Sequence, residues 1–298
     1  MHLLDLLARN KSTLSFEFFP PKSPVERDKL MLQIGLLEPF NPDFVSITYG
    51  AGGGTRDLTL DWVTRLREWQ PIPHLTGIGH SRQEIRGLLT RYAAEGVSNI
   101  LALRGDSPKN GSYARGDFPQ AADLVRFIRE FKRHHDPRGF GIGVAGFPEG
   151  HPATPNRMLE MDYLKSKIDA GADYICTQLF FDNHDFHDFR ARCELAGIHV
   201  PIIAGIMPIT SLTGLKRIAE LAGGARIPAN LIRAFQRVGS DPTAIRQAGI
   251  HHAAAQCADL LHHRVAGLHL YTLNQADAAV QICERLGIPK HSKALAIA

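Results

Sequence analysis

The chain has 298 residues but only four cysteines and two tryptophans. Cys176, Cys193, Cys257 and Cys283 are far apart, form no Cys-x-x-Cys, and lie in apolar stretches. This argues against a disulfide framework or a thiolate zinc site and predicts reduced core thiols in a cytoplasmic protein. No apolar run approaches the ~20 residues of a membrane helix. The opening MHLLDLLARNK carries Asp5 and predicts a short amphipathic helix rather than a signal peptide. There is no run of Lys and Arg and no basic–aromatic interleaving, which argues against nucleic acid as a partner. The net charge of +4 is diffuse and suits a small anionic ligand. A hydrophobic content of 44% with 21% charged residues is that of a soluble globular protein.

What the chain has is a regular beat. Apolar strand patterns fall at 14–19, 44–49, 74–78, 99–103, 141–147, 174–181, 201–207 and 268–273, each followed by a helical pattern. Gly96, Gly171 and Gly197 sit between a helix pattern and the next strand, where a left-handed cap is wanted. The strands read as nearly continuous apolar runs, as in a sheet covered on both faces. Eight such units predict an α/β fold, a closed (β/α)8 TIM barrel with extra helices before the eighth strand. The expected organisation is one barrel domain over 1–298, with 223–267 as a helical insertion.

In such barrels chemistry sits at the C-terminal strand ends. Glu17 stands there, inside LSFEFFPPK, as a carboxylate among apolar and aromatic residues. It is either half of a buried ion pair or an acid. No strand end offers a Lys, which argues against a Schiff-base aldolase. No metal-ligand spacing of His, Asp and Glu occurs at the strand ends. His134-His135, His251-His252 and His262-His263 fall in helical patterns and are expected on solvated faces. Gly50 to Gly54 lacks the third glycine of a dinucleotide fingerprint and predicts a barrel loop whose backbone passes close to a ligand. The remaining acids, amide and hydroxyl supply no electrons, so a reduction here would need an organic cofactor.

At these residues the chain resembles the methylenetetrahydrofolate reductase family, in its bacterial type of catalytic barrel only. The matching segments are SFEFFPPK (15–22), FVSITYGAGGGTRD (44–57), PHLTGI (73–78), ALRGD (102–106), FPEGHP (147–152), TQLFFD (177–182) and YTLN (271–274). The resemblance implies an oxidoreductase with FAD as cofactor and NADH or NADPH as donor. It would reduce 5,10-methylenetetrahydrofolate to 5-methyltetrahydrofolate for methionine synthesis, by ping-pong hydride transfer. It implies Glu17 and Asp106 as catalytic residues, with Glu17 the general acid. An apolar strand end predicts a raised pKa for that acid. Cofactor contacts are implied at Tyr49, Ala51, His74, Arg104, Gly105, Asp106, Phe147, His151, Glu160 and Lys167. Substrate contacts are implied at Thr48, Gln178 and Gln275.

The chain departs from the family pattern at several of these places. Phe147 stands for a Tyr, and Glu160, Tyr163 and Ser166 replace residues at the adenylate end. Gly214, Ile218 and Gln275 replace folate-contacting residues. Regulation by S-adenosylmethionine is not implied. The expected partners are folate and a nicotinamide dinucleotide, with no nucleic acid and no membrane, in a homo-oligomer. Two rival readings stay open: a flavin-barrel oxidoreductase of the proline-dehydrogenase type, and a non-catalytic folate- or flavin-binding subunit.

Overall fold

A computed structural model describes residues 1–10, 12–49, 56–105, 116–131, 136–221 and 225–291. Eight parallel strands close in sequence order: β1 (Thr13–Phe18), β2 (Phe44–Ile47), β3 (Pro71–Thr76), β4 (Asn99–Leu103), β5 (Gly141–Gly146), β6 (Tyr174–Thr177), β7 (Ile202–Ile206) and β8 (Gly267–Tyr271), which pairs back onto β1. The predicted barrel is therefore observed. β3 begins earlier than the apolar pattern implied, because Pro71 opens it opposite Val45, a first position where its missing N–H costs no ladder bond.

The alternation along β1 sets the chemistry of the barrel. Phe16 and Phe18 join the large core between strands and helices. Ser15 and Glu17 face inward, so the aromatic residues insulate and the polar ones line the lumen. Register then aligns Glu17 with Ser46 of β2 and with Tyr271 of β8, and Ser15 with His269.

The outer wall contains α2 (Pro24–Leu37), α3 (Arg56–Arg65), α4 (Arg82–Ala94), α5 (Ala121–Glu130), α6 (Arg157–Asp169), α7 (Asn183–Leu195) and α11 (Asp277–Arg285). The expected N-terminal helix, α1 (Leu3–Arg9), closes the bottom of the barrel. Leu3 packs there with Phe44, Ile72, Leu101, Tyr174 and Ile203. Asn99 Oδ1 accepts from the Leu3 amide at 2.8 Å and fixes this plug.

Between β7 and β8 lie α8 (Leu212–Leu221), α9 (Ala229–Val238) and α10 (Pro242–His262), the last two at the patterns expected for extra helices. The sequence pattern pairs α8 with β7, but α10 takes the seventh wall position, packed between α7 and α11 and against β7. A Cβ at Gly249 of α10 would meet the Ile209 carbonyl at 1.8 Å, so only glycine allows this approach. Leu215 and Ile218 of α8 and Leu231 and Phe235 of α9 instead cover a second apolar cluster with Leu179, Phe181, Met207 and Ile209. These two helices roof part of the C-terminal mouth.

Candidate active site

Glu17 is the penultimate residue of β1, at that mouth, with its side chain 20% exposed. Its neighbours come from three other strands. Ser46 Oγ of β2 lies 3.4 Å from Glu17 Oε2, His74 Nε2 of β3 lies 3.4 Å away, and His269 Nε2 of β8 lies 3.7 Å away. No Arg or Lys is among these partners. The backbone of the segment is clamped by the YTLN motif. Thr272 Oγ1 donates to the Glu17 carbonyl at 2.6 Å, and Asn274 exchanges hydrogen bonds with the Phe19 amide and carbonyl.

The expectation of a raised Glu17 pKa fails for the free chain. Burial does push the carboxyl up, but His269, with His74 and the Ser46 hydroxyl, holds it below the ordinary carboxylate value. His74 is pushed down by burial, against the pull of Glu17.

A second group lies over β4 to β6. A cavity of about 450 Å³ there is lined by residues that include Arg104, Gly105, Phe147, His151, Glu160, Lys167 and Gln178. Its size is that of a ligand pocket. Lys167 Nζ donates to the Ala145 carbonyl at 2.6 Å, and burial lowers its pKa to about 8. Glu160 holds the FPEGHP loop by accepting from the His151 amide at 3.0 Å, and it pairs with Arg157 at 3.2 Å. Gly105 has φ +86, and a Cβ there would meet Ile78 at 2.6 Å, so the strand end turns only because it carries no side chain. Tyr49 is buried and donates its hydroxyl to His80 Nε2 at 3.2 Å, because the His80 Nδ1–H is taken by the Ile78 carbonyl.

Of the predicted residues, Glu17 and His74 fall in the first group, and Arg104, Gly105, Phe147, His151, Glu160, Lys167 and Gln178 in the second. Thr48 follows β2, where its carbonyl accepts from Thr59 Oγ1 at 3.1 Å. Gln178 follows β6 and donates its amide to the Gly146 carbonyl at 2.7 Å. Gln275 is exposed on the turn before α11 and belongs to neither group. Ile218 is 7% exposed and buried under the roof. Gly214 donates its amide to Ser211 Oγ near the start of α8. Asp106 and Ala51 lie outside the described residues, as do His134 and His135.

Sequence reasoning missed His269, Ser46, Ser15 and His80. The first three could have been found from the strand alternation, since His269 and Tyr271 are two apart in GLHLY and share a face. Of the other paired histidines, His251, His262 and His263 lie on exposed positions as expected, and only His252 is half-buried, its Nε2 meeting the Phe181 carbonyl at 2.9 Å.

The residues of the cavity fit an anionic dinucleotide. A half-buried lysine whose hydrogen-bond partner is a carbonyl, with Arg104 on the same lining, provides cations for a diphosphate. The buried Oγ1 of Thr76 and Nε2 of His74 have no hydrogen-bond partner among the described residues, which leaves polar atoms for a ligand beside Glu17.

Fold and mouth together define a (β/α)8 barrel with a carboxylate–histidine cluster beside a cation-bearing cavity. The family described as Methylenetetrahydrofolate reductase matches residues 2–287, and the chain belongs to that family. It is 39% identical to Methylenetetrahydrofolate reductase (NADH) 1 of Arabidopsis thaliana, over 96% of this chain and 50% of that protein. It is 36% identical to the 5,10-methylenetetrahydrofolate reductase of Pectobacterium carotovorum, over 94% of this chain and 92% of that one, and 35% identical to the Escherichia coli protein of the same name. The chain spans about half the length of the plant relatives it matches. A solved protein from Clostridium thermocellum, described as binding two copies of 5-methyl-5,6,7,8-tetrahydrofolic acid, shares the fold with a TM-score of 0.65 at 15% identity. Among the described residues no helix is long and apolar enough to cross a membrane.

Proposed function

We propose that this chain is the catalytic barrel of a flavin-dependent reductase that converts 5,10-methylenetetrahydrofolate to 5-methyltetrahydrofolate with NADH or NADPH as donor. The observation that carries the reading is the inward Glu17 carboxylate at the mouth of a barrel of this family, beside a cavity with two cations. FAD, when bound, supplies the hydride relay between nicotinamide and folate in a ping-pong sequence. Arg104 and Lys167 would hold its diphosphate, and Tyr49, His74, Gly105, Phe147 and His151 would line its site. Ala51, Asp106 and Glu160 complete the proposed cofactor set.

Glu17 delivers a proton to the folate nitrogen released as the methylene bridge opens. A positioned acid at that step contributes about 10² to 10⁴ in rate. Asp106 is proposed to face both flavin and pterin, and Thr48, Gln178 and Gln275 to contact the folate. The chain forms a single barrel domain in which α8 and α9 are inserted between β7 and the wall helix α10. On this reading the enzyme is a cytoplasmic homo-oligomer with reduced thiols.

The test is an anaerobic stopped-flow experiment on FAD-loaded protein. NADH or NADPH should bleach the flavin, and the folate substrate should re-oxidise it. Protein that stays colourless with ample flavin, or reduced flavin that ignores the folate, overturns the reading. Running each nicotinamide in turn identifies the donor.

A further inference from the structure

Below Glu17, one layer deeper in the lumen, lies a pair of buried groups that the proposed reaction leaves without a task. Ser15 and His269 face each other across the β1–β8 pairing. Ser15 Oγ is 3.1 Å from the Leu268 carbonyl and 2.8 Å from His269 Nδ1. A carbonyl only accepts, so the Ser15 proton goes to it, and Ser15 Oγ accepts from His269 Nδ1–H. Nδ1 therefore keeps its hydrogen, and the ring gains or loses a proton at Nε2.

Nε2 is aimed up the lumen. It lies 3.1 Å from Ser46 Oγ, which is in turn 3.4 Å from Glu17 Oε2. Ser46 has one proton and two acceptors for it. When Ser46 donates to Glu17, Nε2 must donate to Ser46, and His269 is an imidazolium beside a carboxylate. When Ser46 donates to Nε2, the ring is neutral and Glu17 is left to take a proton of its own. The ring is 2% exposed, stacked on Phe44 at 5.9 Å and met edge-on by Tyr271 at 5.4 Å, so it stays in place in both arrangements.

The other titratable groups facing this pair do not hold the proton. His74 on β3 is kept on the neutral side by burial, and its Nε2 makes no hydrogen bond to Glu17. The Cys176 thiol on β6 and the Tyr271 hydroxyl on β8 are both pushed up by burial and stay protonated.

We propose that His269, anchored by Ser15 and acting through Ser46, is a positioning residue that stores the proton Glu17 delivers. In the transfer, the His269 Nε2–H bond breaks as Ser46 Oγ takes that proton. The Ser46 O–H bond breaks as Glu17 Oε2 takes the other. Imidazolium and carboxylate become imidazole and carboxylic acid, with no change in electron count. A ligand closing over Glu17 removes water from the carboxylate, disfavours its charge and drives the proton onto it. The free chain can thus keep Glu17 ionised and still present an acid when substrate arrives. The inference rests on the role proposed for Glu17 above.

Two measurements test it. In the cofactor-free chain, ¹⁵N spectra of the histidines should show His269 carrying its hydrogen at Nδ1 whenever the ring is neutral. The ¹³C carboxyl signal of Glu17 should titrate at higher pH in His269→Gln than in wild type. In the FAD-loaded enzyme, His269→Gln should lower the folate half-reaction at least about tenfold more than the nicotinamide half-reaction, within the range of a lost proton-transfer aid. Ser46→Ala should do the same, and Ser46→Thr, which keeps the hydroxyl, should restore the rate. An unchanged Glu17 titration in His269→Gln overturns the proposal. So does an equal fall of both half-reactions with a lower melting temperature, which marks a structural role. A wild-type enzyme that ignores folate counts against the proposed activity instead, because the ¹³C titration reads the proton coupling without it.

Discussion

The two ends of the barrel are built from the same eight strands and have opposite interiors. At the bottom, Leu3 of α1 seals the lumen against Ile72, Leu101, Tyr174 and Ile203. At the top, Glu17, Ser46, His74 and His269 leave it polar and partly open. On β3 a single residue, Pro73, separates Ile72 from His74. Between these ends the lumen passes from a packed core to a site, and Ser46 and His269 are tolerated above because each has a hydrogen-bond partner on a neighbouring strand. The lower end acts in stability and the upper end in chemistry.

The sharpest way to break this contrast is at the top. Glu17→Gln keeps the shape and removes the acid. Folate-dependent flavin re-oxidation should fall by about 10² to 10⁴, while flavin reduction by the nicotinamide and the melting temperature stay close to wild type. Loss of both half-reactions would make Glu17 a structural residue. The matching change at the bottom is Leu3→Ala, which removes a side chain 1% exposed. Urea denaturation should show a loss of about 2 to 5 kcal/mol, with both half-reactions intact at 25 °C. Inactivation without loss of stability would erase the division between the ends.

A smaller effect is expected at Lys167. Its cation exists below a pKa of about 8 in the free chain and is lost above it, so FAD affinity should weaken as pH rises through that value. Lys167→Ala should weaken binding by about 1.5 to 3 kcal/mol, the range of a hydrogen bond to a charged group, and should flatten the pH dependence. Flavin fluorescence titration reads both. The smallest effect concerns pH and folding. Glu17 and His74 both bind protons less readily when folded than when unfolded. The unfolded chain then holds more protons, and stability rises with pH across their window. The melting temperature should fall as pH drops below the ordinary histidine value of 6.5, and His74→Asn should reduce that slope. A melting temperature that rises on acidification would reverse the sign argued for the mouth.

Much of the architecture was legible in the sequence because local signals agree. Gly96, Gly171 and Gly197 cap helices with positive φ where a strand pattern resumes. The seventh unit was harder to read. The α8 pattern directly follows β7, and nothing in its own residues says that α10 takes the wall position. That choice is made by packing against α7 and α11. Glu17 was visible as an isolated carboxylate in an apolar run, so its burial could be anticipated. Its ionisation could not, because the two histidines that lower its pKa come from β3 and β8. His269 looked like part of an apolar run until the β1–β8 register placed it opposite Ser15.

One surface residue has a reach larger than its exposure suggests. Arg226, in the connection between α8 and α9, donates its amide to Glu149 after β5 at 2.6 Å and its guanidinium to Asp182 and Asp185 after β6 at 2.9 and 2.7 Å. The backbone and side chain of one residue thereby reach the segments after β5 and β6. The connection under the roof is pinned to the rims of two neighbouring units, with the guanidinium holding the second of them. Because its charges face water, dissolved salt can slacken the tie within a Debye length of about 8 Å, without touching a residue that holds ligand.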